Sequence, residues 1–418
     1  MTPPTSSSPD GASGPGSPPP PPLPLPRPGL GEVFLRFLKL GCIAFGGPVA
    51  HIGFFEEEFV RRRRWLGAEE FADLMALCQF LPGPASSQMG FAIGRKAAGV
   101  PGAVLAWVGF TLPAAVVMIG FGLGLAALEP EPGAGWIVGL KLAAVAVVAN
   151  AVWNLGIRLC PDRARALLAI AAATVLLVTG LPLLQVGVIA VGAGVGWLFL
   201  GDRARTAGDS EAHLTAVRSA GWPYLLAFAV LLAGLPLAAA ALPDSTWAAV
   251  EAFYRAGALV FGGGHVVLPL LDAFTVGPGC VSPETFLAGY GLAQAIPGPM
   301  FTFTAFLGTV LAVGPGGVAG GLLALVATYL PALLLVLGLL PSWDRVRTYR
   351  AAQAALAGTN AAVVGLLLAA FYQPVWTAAV TGPERAALAL VAFGLLRFVR
   401  IPPWAVVAGC AGVGGLWL

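Results

Sequence analysis

The sequence predicts an all-α polytopic membrane protein built of two inverted-topology repeats with broken or re-entrant helices. Three observations lead there. The composition is too apolar for a water-facing surface. The same glycine and proline breaks recur about 215 residues apart. Basic residues crowd the first set of breaks and nearly vanish from the second.

Of 418 residues, 58% are apolar and 10% are charged, and the mean hydropathy is +0.85. A soluble domain carries about 25% charged residues, so this chain belongs in a bilayer. A net charge of +3, with its cations in short clusters between apolar runs, gives no face for nucleic acid. Cys42, Cys78, Cys160, Cys280 and Cys410 lack metal or redox spacing and read as small apolar packing residues. His51, His213 and His265 are too scattered for a metal site, and neither a cofactor nor a metal is expected. Without a Walker loop, HExxH, Gly-x-Ser-x-Gly or paired-Cys motif, the sequence is not read as an ATP-driven pump or an enzyme.

Residues 1–30 hold 12 prolines and five serines, a composition expected to form a disordered cytoplasmic tail rather than a signal peptide. The first repeat is expected over 31–200, a linker with an extra transmembrane helix over 201–249, and the second repeat over 250–418. Apolar runs long enough to approach or span a bilayer lie near 101–127, 136–157, 166–179, 181–200, 221–242, 315–340, 351–372, 385–398 and 402–418.

Segments 33–98 and 250–313 are apolar but interrupted, at Phe45-Gly46-Gly47-Pro48 and Leu81-Pro82-Gly83-Pro84, then at Phe261-Gly262-Gly263-Gly264 and Ile296-Pro297-Gly298-Pro299. These segments are copies. Phe37, Lys39, Gly41, Gly46, Gly47 and Glu56 fall on Phe253, Arg255, Gly257, Gly262, Gly263 and Asp272. Likewise Glu69, Gln79, Pro82, Gly83, Pro84 and Ser87 fall on Glu284, Gln294, Pro297, Gly298, Pro299 and Thr302. Further on, Leu112-Pro113-Ala114 matches Leu330-Pro331-Ala332, and Asn150 is set against Asn360.

Residues 27–100 carry nine Lys or Arg and residues 243–315 carry one, Arg255. The positive-inside rule then opens the first broken region to the cytoplasm and the second to the outside, the odd helix at 221–242 inverting the second copy. Inverted repeats with discontinuous helices meeting at the midplane are the architecture of secondary transporters.

Non-helical backbone survives in hydrocarbon only where protein or a water-filled cavity covers it, so the breaks mark a cavity. Each break also starts a new helix, whose free N–H groups and positive dipole end favour an anion. Ser86 and Ser87 follow the first Pro-Gly-Pro, and Thr302 and Thr304 the second. Short hydroxyls beside backbone donors suit a tetrahedral oxyanion, the alternative being that they cap the half-helices. Lys39 and Arg255 could attract a dianion or reach to the interface. Gln79 and Gln294 could donate to substrate or tie down the break. Glu56, Asp272, Glu69 and Glu284 are the candidate proton carriers, although Glu69 and Glu284 also suit helix starts. Arg61 to Arg64 read as an anchor to anionic lipid.

The Phe37 to Gly47 segment, Trp65-Leu66 with Glu69, Gln79-Phe80-Leu81-Pro82-Gly83-Pro84 and their echoes resemble the chromate transporter family in its long, two-domain form. The resemblance covers nearly everything after residue 31. It implies transport of chromate, with sulfate as the similar anion, across the bacterial cytoplasmic membrane, typically as efflux that confers resistance. Sulfate or related oxyanion uptake is the alternative, and a membrane-embedded enzyme or scaffold ranks behind both. The expected partners are the oxyanion, membrane lipid and, as an assembly the sequence leaves open, a second copy of the chain in a homodimer.

Overall fold

The computed structural model describes residues 28–128, 133–179, 184–200, 221–242, 245–261, 264–343 and 349–417. Of the tail expected to be disordered over 1–30, residues 1–27 lie outside the described residues, as do 201–220 of the linker and Gly262 and Gly263, while Leu30 already opens the first helix. All regular structure among the described residues is helical, and five helices are long and apolar enough to cross a membrane.

The first half opens with two short hairpins. Helix α1 (Leu30–Ile43) ends at Ala44, and α2 (Gly47–Phe55) runs on as a π-helical turn over Glu56–Arg62. Gly46 and Gly47 reverse the chain with φ of +102° and +75°, values that a side chain would strain. The two arms lie side by side: Phe37 stacks on Phe59 at 4.8 Å, Arg63 reaches Glu32 at 3.2 Å, and the His51 ring bonds the Ala44 carbonyl at 3.1 Å. The π-helical turn stacks residues five apart, so Arg61, Arg62 and Arg63 each meet the glutamate five positions earlier, Glu56, Glu57 and Glu58. The arginine cluster is thus largely neutralised within its own turn.

The second hairpin pairs α3 (Ala68–Phe80) with the first arm of α4 (Ala85–Leu128), and the first Pro-Gly-Pro forms its tip. Lys96 bonds Glu70 at 2.8 Å, which joins the arms at the base. Thirteen helical residues reach about 20 Å, short of a hydrocarbon core of roughly 30 Å. Helix α3 is therefore too short to cross a bilayer by itself. At Ala98 and Gly99, α4 departs from helical geometry and folds back, so tightly that a Cβ on Gly94 or Gly102 would strike the other's carbonyl. Its second arm is a full span, followed by α5 (Gly135–Leu159), α6 (Arg163–Thr179) and α7 (Leu184–Phe199). Helix α8 (Trp222–Ala241) packs chiefly along α9 and α13 among the described residues and leaves Trp222, Leu226, Val230 and Leu237 exposed as lipid-facing surface.

The second half repeats the plan: α9 (Thr246–Leu259), α10 (Val267–Leu271), α11 (Pro283–Ala293), α12 (Phe303–Val310), α13 (Gly317–Leu339), α14 (Arg350–Ala370), α15 (Pro383–Gly394) and α16 (Pro403–Trp417). Here too α11 and α12 form a short hairpin with Pro-Gly-Pro at its tip, closed at the base by Ala312 N–H on the Cys280 carbonyl. The packing recurs pair by pair. Gly41 abuts the Phe110 carbonyl as Gly257 abuts that of Thr328, and Gly308 and Gly320 meet as Gly94 and Gly102 do.

Beyond the hairpins the halves exchange partners. Helix α5 packs against α11, α15 and α16 of the second half, while α14 receives α6 and α7 of the first. Gly135 and Gly139 touch Gly414 and Cys410, and Ala354 and Gly358 touch Gly196 and Gly192. Small residues four apart let backbones meet where lipid supplies no hydrophobic drive. These contacts also reset one register: Gly139 corresponds to Gly358, so Asn360 stands opposite Lys141 rather than Asn150. The equivalent spans α4 and α13 run antiparallel, with Trp107 beside Tyr329 at 5.5 Å and Ile119 against Gly321, near the start of α13.

Candidate binding site at the hairpin tips

Each Pro-Gly-Pro tip meets the end of the broken helix in the other half. Gly83 N–H donates to the Val260 carbonyl at 2.6 Å, and its repeat equivalent Gly298 donates to the Ala44 carbonyl at 3.0 Å. Each Pro-Gly-Pro turn of one half therefore satisfies the frayed end of the broken helix in the other. The glycines are required twice over: φ is +126° at Gly83 and +100° at Gly298, and a Cβ there would press on Ala332 or Ala114, themselves equivalent residues. A two-fold exchange of like contacts defines an isologous interface, and it places Pro82, Gly83, Pro84, Pro297, Gly298 and Pro299 together in the interior.

Beside these tips lies a group of buried polar atoms poor in partners. The Thr111 hydroxyl, the Trp107 indole N–H and the Gln88 Oε1 are buried without a hydrogen-bond partner, and the Ser87 and Tyr329 hydroxyls, buried together, have at most each other. Ser87 adjoins the Tyr329 hydroxyl, Trp107 packs on Tyr329, and Tyr329 lies 6.1 Å from Phe301, just past the second Pro-Gly-Pro. Ser87, Thr111 and Tyr329 are each 1–2% exposed. A buried polar group left unpaired costs free energy, so these neighbouring hydroxyl and indole donors are a set chemically suited to acceptor oxygens. Thr111 and Tyr329 are repeat equivalents, each one residue before a Leu-Pro-Ala. That register was open to sequence reading, which passed over both along with Trp107.

The other expected site residues fare unequally. Ser86 is buried beside Ser87 at the start of α4. Thr302 and Thr304 are buried, but donate at 2.8 Å to the Pro299 and Phe301 carbonyls of their own turn, so they neither face a site nor cap the half-helix. Gln294 turns its amide to the Met300 sulfur at 3.2 Å, and Gln79 is exposed at the end of α3. It is Gln88 that ties down the first break, donating to the Pro82 carbonyl at 2.7 Å. Lys39 is exposed on α1. Arg255 is held by Glu251 at 2.7 Å and lies over the Phe274 ring at 4.1 Å, which commits its charge to the protein. Among the carboxylates, Glu56 is paired with Arg61, Glu69 is exposed in the first turn of α3, and Asp272 has a buried oxygen without a partner. Glu284 sits in the first turn of α11, behind the Ser282 cap, and lines a cavity. No group of His, Cys, Asp and Glu among the described residues could hold a metal ion.

Short hairpins whose tips meet inside a helical bundle, beside unsatisfied donors, define a multi-pass membrane protein with an interior polar site. The chain belongs to the chromate transporter family, which it matches over residues 31–197 and again over 247–415. It is 31% identical to a chromate transport protein of Pseudomonas aeruginosa over 353 residues, 80% of this chain and 79% of that one. It is 26% identical to a chromate transport protein of Cupriavidus metallidurans over 402 residues, 92% of each chain. An uncharacterized transporter of Methanocaldococcus jannaschii is 25% identical over 345 residues, 81% of this chain and 82% of that one. No solved structure matches the chain.

Proposed function

We propose that the protein exports chromate, or a similar tetrahedral oxyanion, from the cytoplasm as a secondary transporter of two inverted repeats. The reciprocal meeting of the two Pro-Gly-Pro tips beside unpartnered donors carries this reading. Ser86, Ser87, Thr111, Trp107 and Tyr329 would receive the anion's oxygens at the start of α4, where the helix dipole is positive. Neutral donors bind an oxyanion without trapping it, as release requires. The electrical term favours export: a 100 mV potential is worth about 2.3 kcal/mol per charge, so a dianion leaving a negative interior gains about 4.6 kcal/mol.

The test is chromate accumulation by everted membrane vesicles, with potential and pH gradient set separately and sulfate as competitor. Accumulation should follow an inside-positive potential and fall with added sulfate. Accumulation only in right-side-out vesicles would reverse the direction and favour oxyanion uptake.

Inversion is supported by the antiparallel run of α4 against α13 and by the charges at the hairpin bases. Arg61 to Arg64, Arg95 and Lys96 crowd the bases of the first half, and nothing comparable stands at those of the second. Single cysteines placed at Arg62 and Pro278 in a cysteine-free background should be labelled from opposite faces of the membrane. Labelling of both from one face would remove the inversion.

A further inference from the structure

A cavity of about 550 Å³ opens between the end of α4, the start of α5, the start of α11 and the end of α12, with Glu284, Thr285, Ala288, Ile137 and Thr309 in its wall. One turn beyond Ile137 on the same face of α5 stands Lys141, 4% exposed in the second turn of an apolar span. Among the described residues its one hydrogen bond is a long one, Nζ to the Ala378 carbonyl at 3.4 Å. Glu284 and Arg385 are the charges within electrostatic reach, and neither they nor Lys141 form an ion pair among the described residues. Lys141 therefore has one carboxylate and one further cation near it and is tied to neither. An intramembrane lysine is costly enough to mark a functional position.

Helix α11 links this cluster to the hairpin tips. Its first turn lines the cavity, its Gly291 lies against the Leu140 carbonyl beside Lys141, and its far end leads into the second Pro-Gly-Pro. At the equivalent place in the other half stands Asn360, whose side-chain oxygen is buried and unpartnered. The repeat is thus broken here, with a cation on one side only.

The geometry points to Lys141, one helical turn inward of this cavity, as an anion-docking residue, where an oxyanion pairs with the ammonium beside Glu284 and Arg385 on its way between the cavity and the hairpin tips. This rests on the oxyanion-transport reading and adds a second, charged station to it. The ammonium supplies the long-range attraction that the neutral donors at the tips lack, and Glu284 competes with the anion for it, which keeps docking reversible.

The experiment measures thermal stabilisation of the purified full chain in detergent by chromate, sulfate, molybdate and phosphate, for the wild type, Lys141→Gln, Lys141→Arg and the double variant Lys141→Gln/Glu284→Gln. For the stabilising anion, Lys141→Gln should raise the half-saturating concentration roughly ten- to a hundredfold, and Lys141→Arg should keep it within a few-fold of wild type. The double variant separates docking from mere charge balance, because it removes both partners and spares the fold an uncompensated carboxylate. Docking by Lys141 requires binding to stay weak in the double variant. Recovery of wild-type binding there would show that Lys141 only neutralises Glu284, and would overturn the proposal. Stabilisation by sulfate or molybdate but not chromate, lost on Lys141→Gln, would leave the docking role standing while removing chromate as substrate. No stabilisation of the wild type by any of the four would overturn both.

Discussion

Replacing Gly83 with alanine is expected to reduce chromate accumulation in everted vesicles by roughly tenfold or more while the protein still inserts and purifies as wild type. The added Cβ would force a side chain into φ +126° and lie 2.8 Å from the Gln88 Nε2 and 3.1 Å from Ala332. Backbone held in such a region costs about 1–3 kcal/mol. The simplest relief is to tilt the turn, which lengthens the Gly83 bond to Val260 and moves Ser87 away from Tyr329. Gly298→Ala should act in the same direction, since Gly298 makes the equivalent bond to Ala44 and abuts Ala114. The full replacement of Pro82, Gly83 and Pro84 by alanines should abolish transport, because the chain could then run on as helix through the tip. Gly53→Ala is the control: nothing lies within 4 Å of its Cβ position, and a helical Gly to Ala change is neutral or slightly stabilising. Wild-type flux in both Gly83→Ala and the triple variant would remove the tips from the transport path.

The positions of these tips were legible because glycine and proline act locally. A Pro-Gly-Pro in an apolar run cannot continue a helix, and its recurrence at the same register in both halves marked it before any contact was known. Recurrence fixes a residue's place along the chain, but not the face it presents. Lys39 and Gln79 have counterparts in the second half as Gly41 does, yet Gly41 packs on α4 while they are exposed, because the seam of each short helix is set by distant partners. The hydroxyls after the two breaks look alike in sequence. In the structure Thr302 turns back to its own carbonyl, whereas Ser87 has no such partner, a difference that arises from the 3-10 turn at Met300–Thr302 and the regular helix at Ala85. Lys141 was hidden by a register slip: pairing Asn150 with Asn360 placed the gap wrongly, and only backbone contacts between glycines corrected it. Trp107, Thr111 and Tyr329 sit in apolar runs where an aromatic or a threonine is ordinarily a packing residue. Their meaning comes from a missing hydrogen bond, which no linear pattern records.

Gly139→Val and Gly358→Val are expected to lose the folded protein, each lowering the melting temperature in detergent far more than a core substitution of that size usually does. At Gly139 the added carbon would meet the Cys410 carbonyl, with its carbon at 2.6 Å and the Ala411 Cα at 2.7 Å, all backbone that no rotamer can move aside. At Gly358 it would meet the Gly192 carbonyl and the Gly196 Cα at 2.6 Å. Overpacking a well-filled contact costs about 1–3 kcal/mol when side chains can adjust, and more when they cannot. The consequence reaches beyond one seam because α5 and α14 each find their closest partners in the opposite half. Forcing α16 off α5 also loosens α11 and α15, which share α5, and so reaches the second Pro-Gly-Pro tip through α11. If each half instead folded around its own helices, either valine would unfold one half and leave the other with its own melting transition. A single transition lowered in both variants, measured on the full chain by tryptophan fluorescence, is the expected result; two separate transitions, or an unshifted one, would mean that the exchange of helices does not hold the halves together.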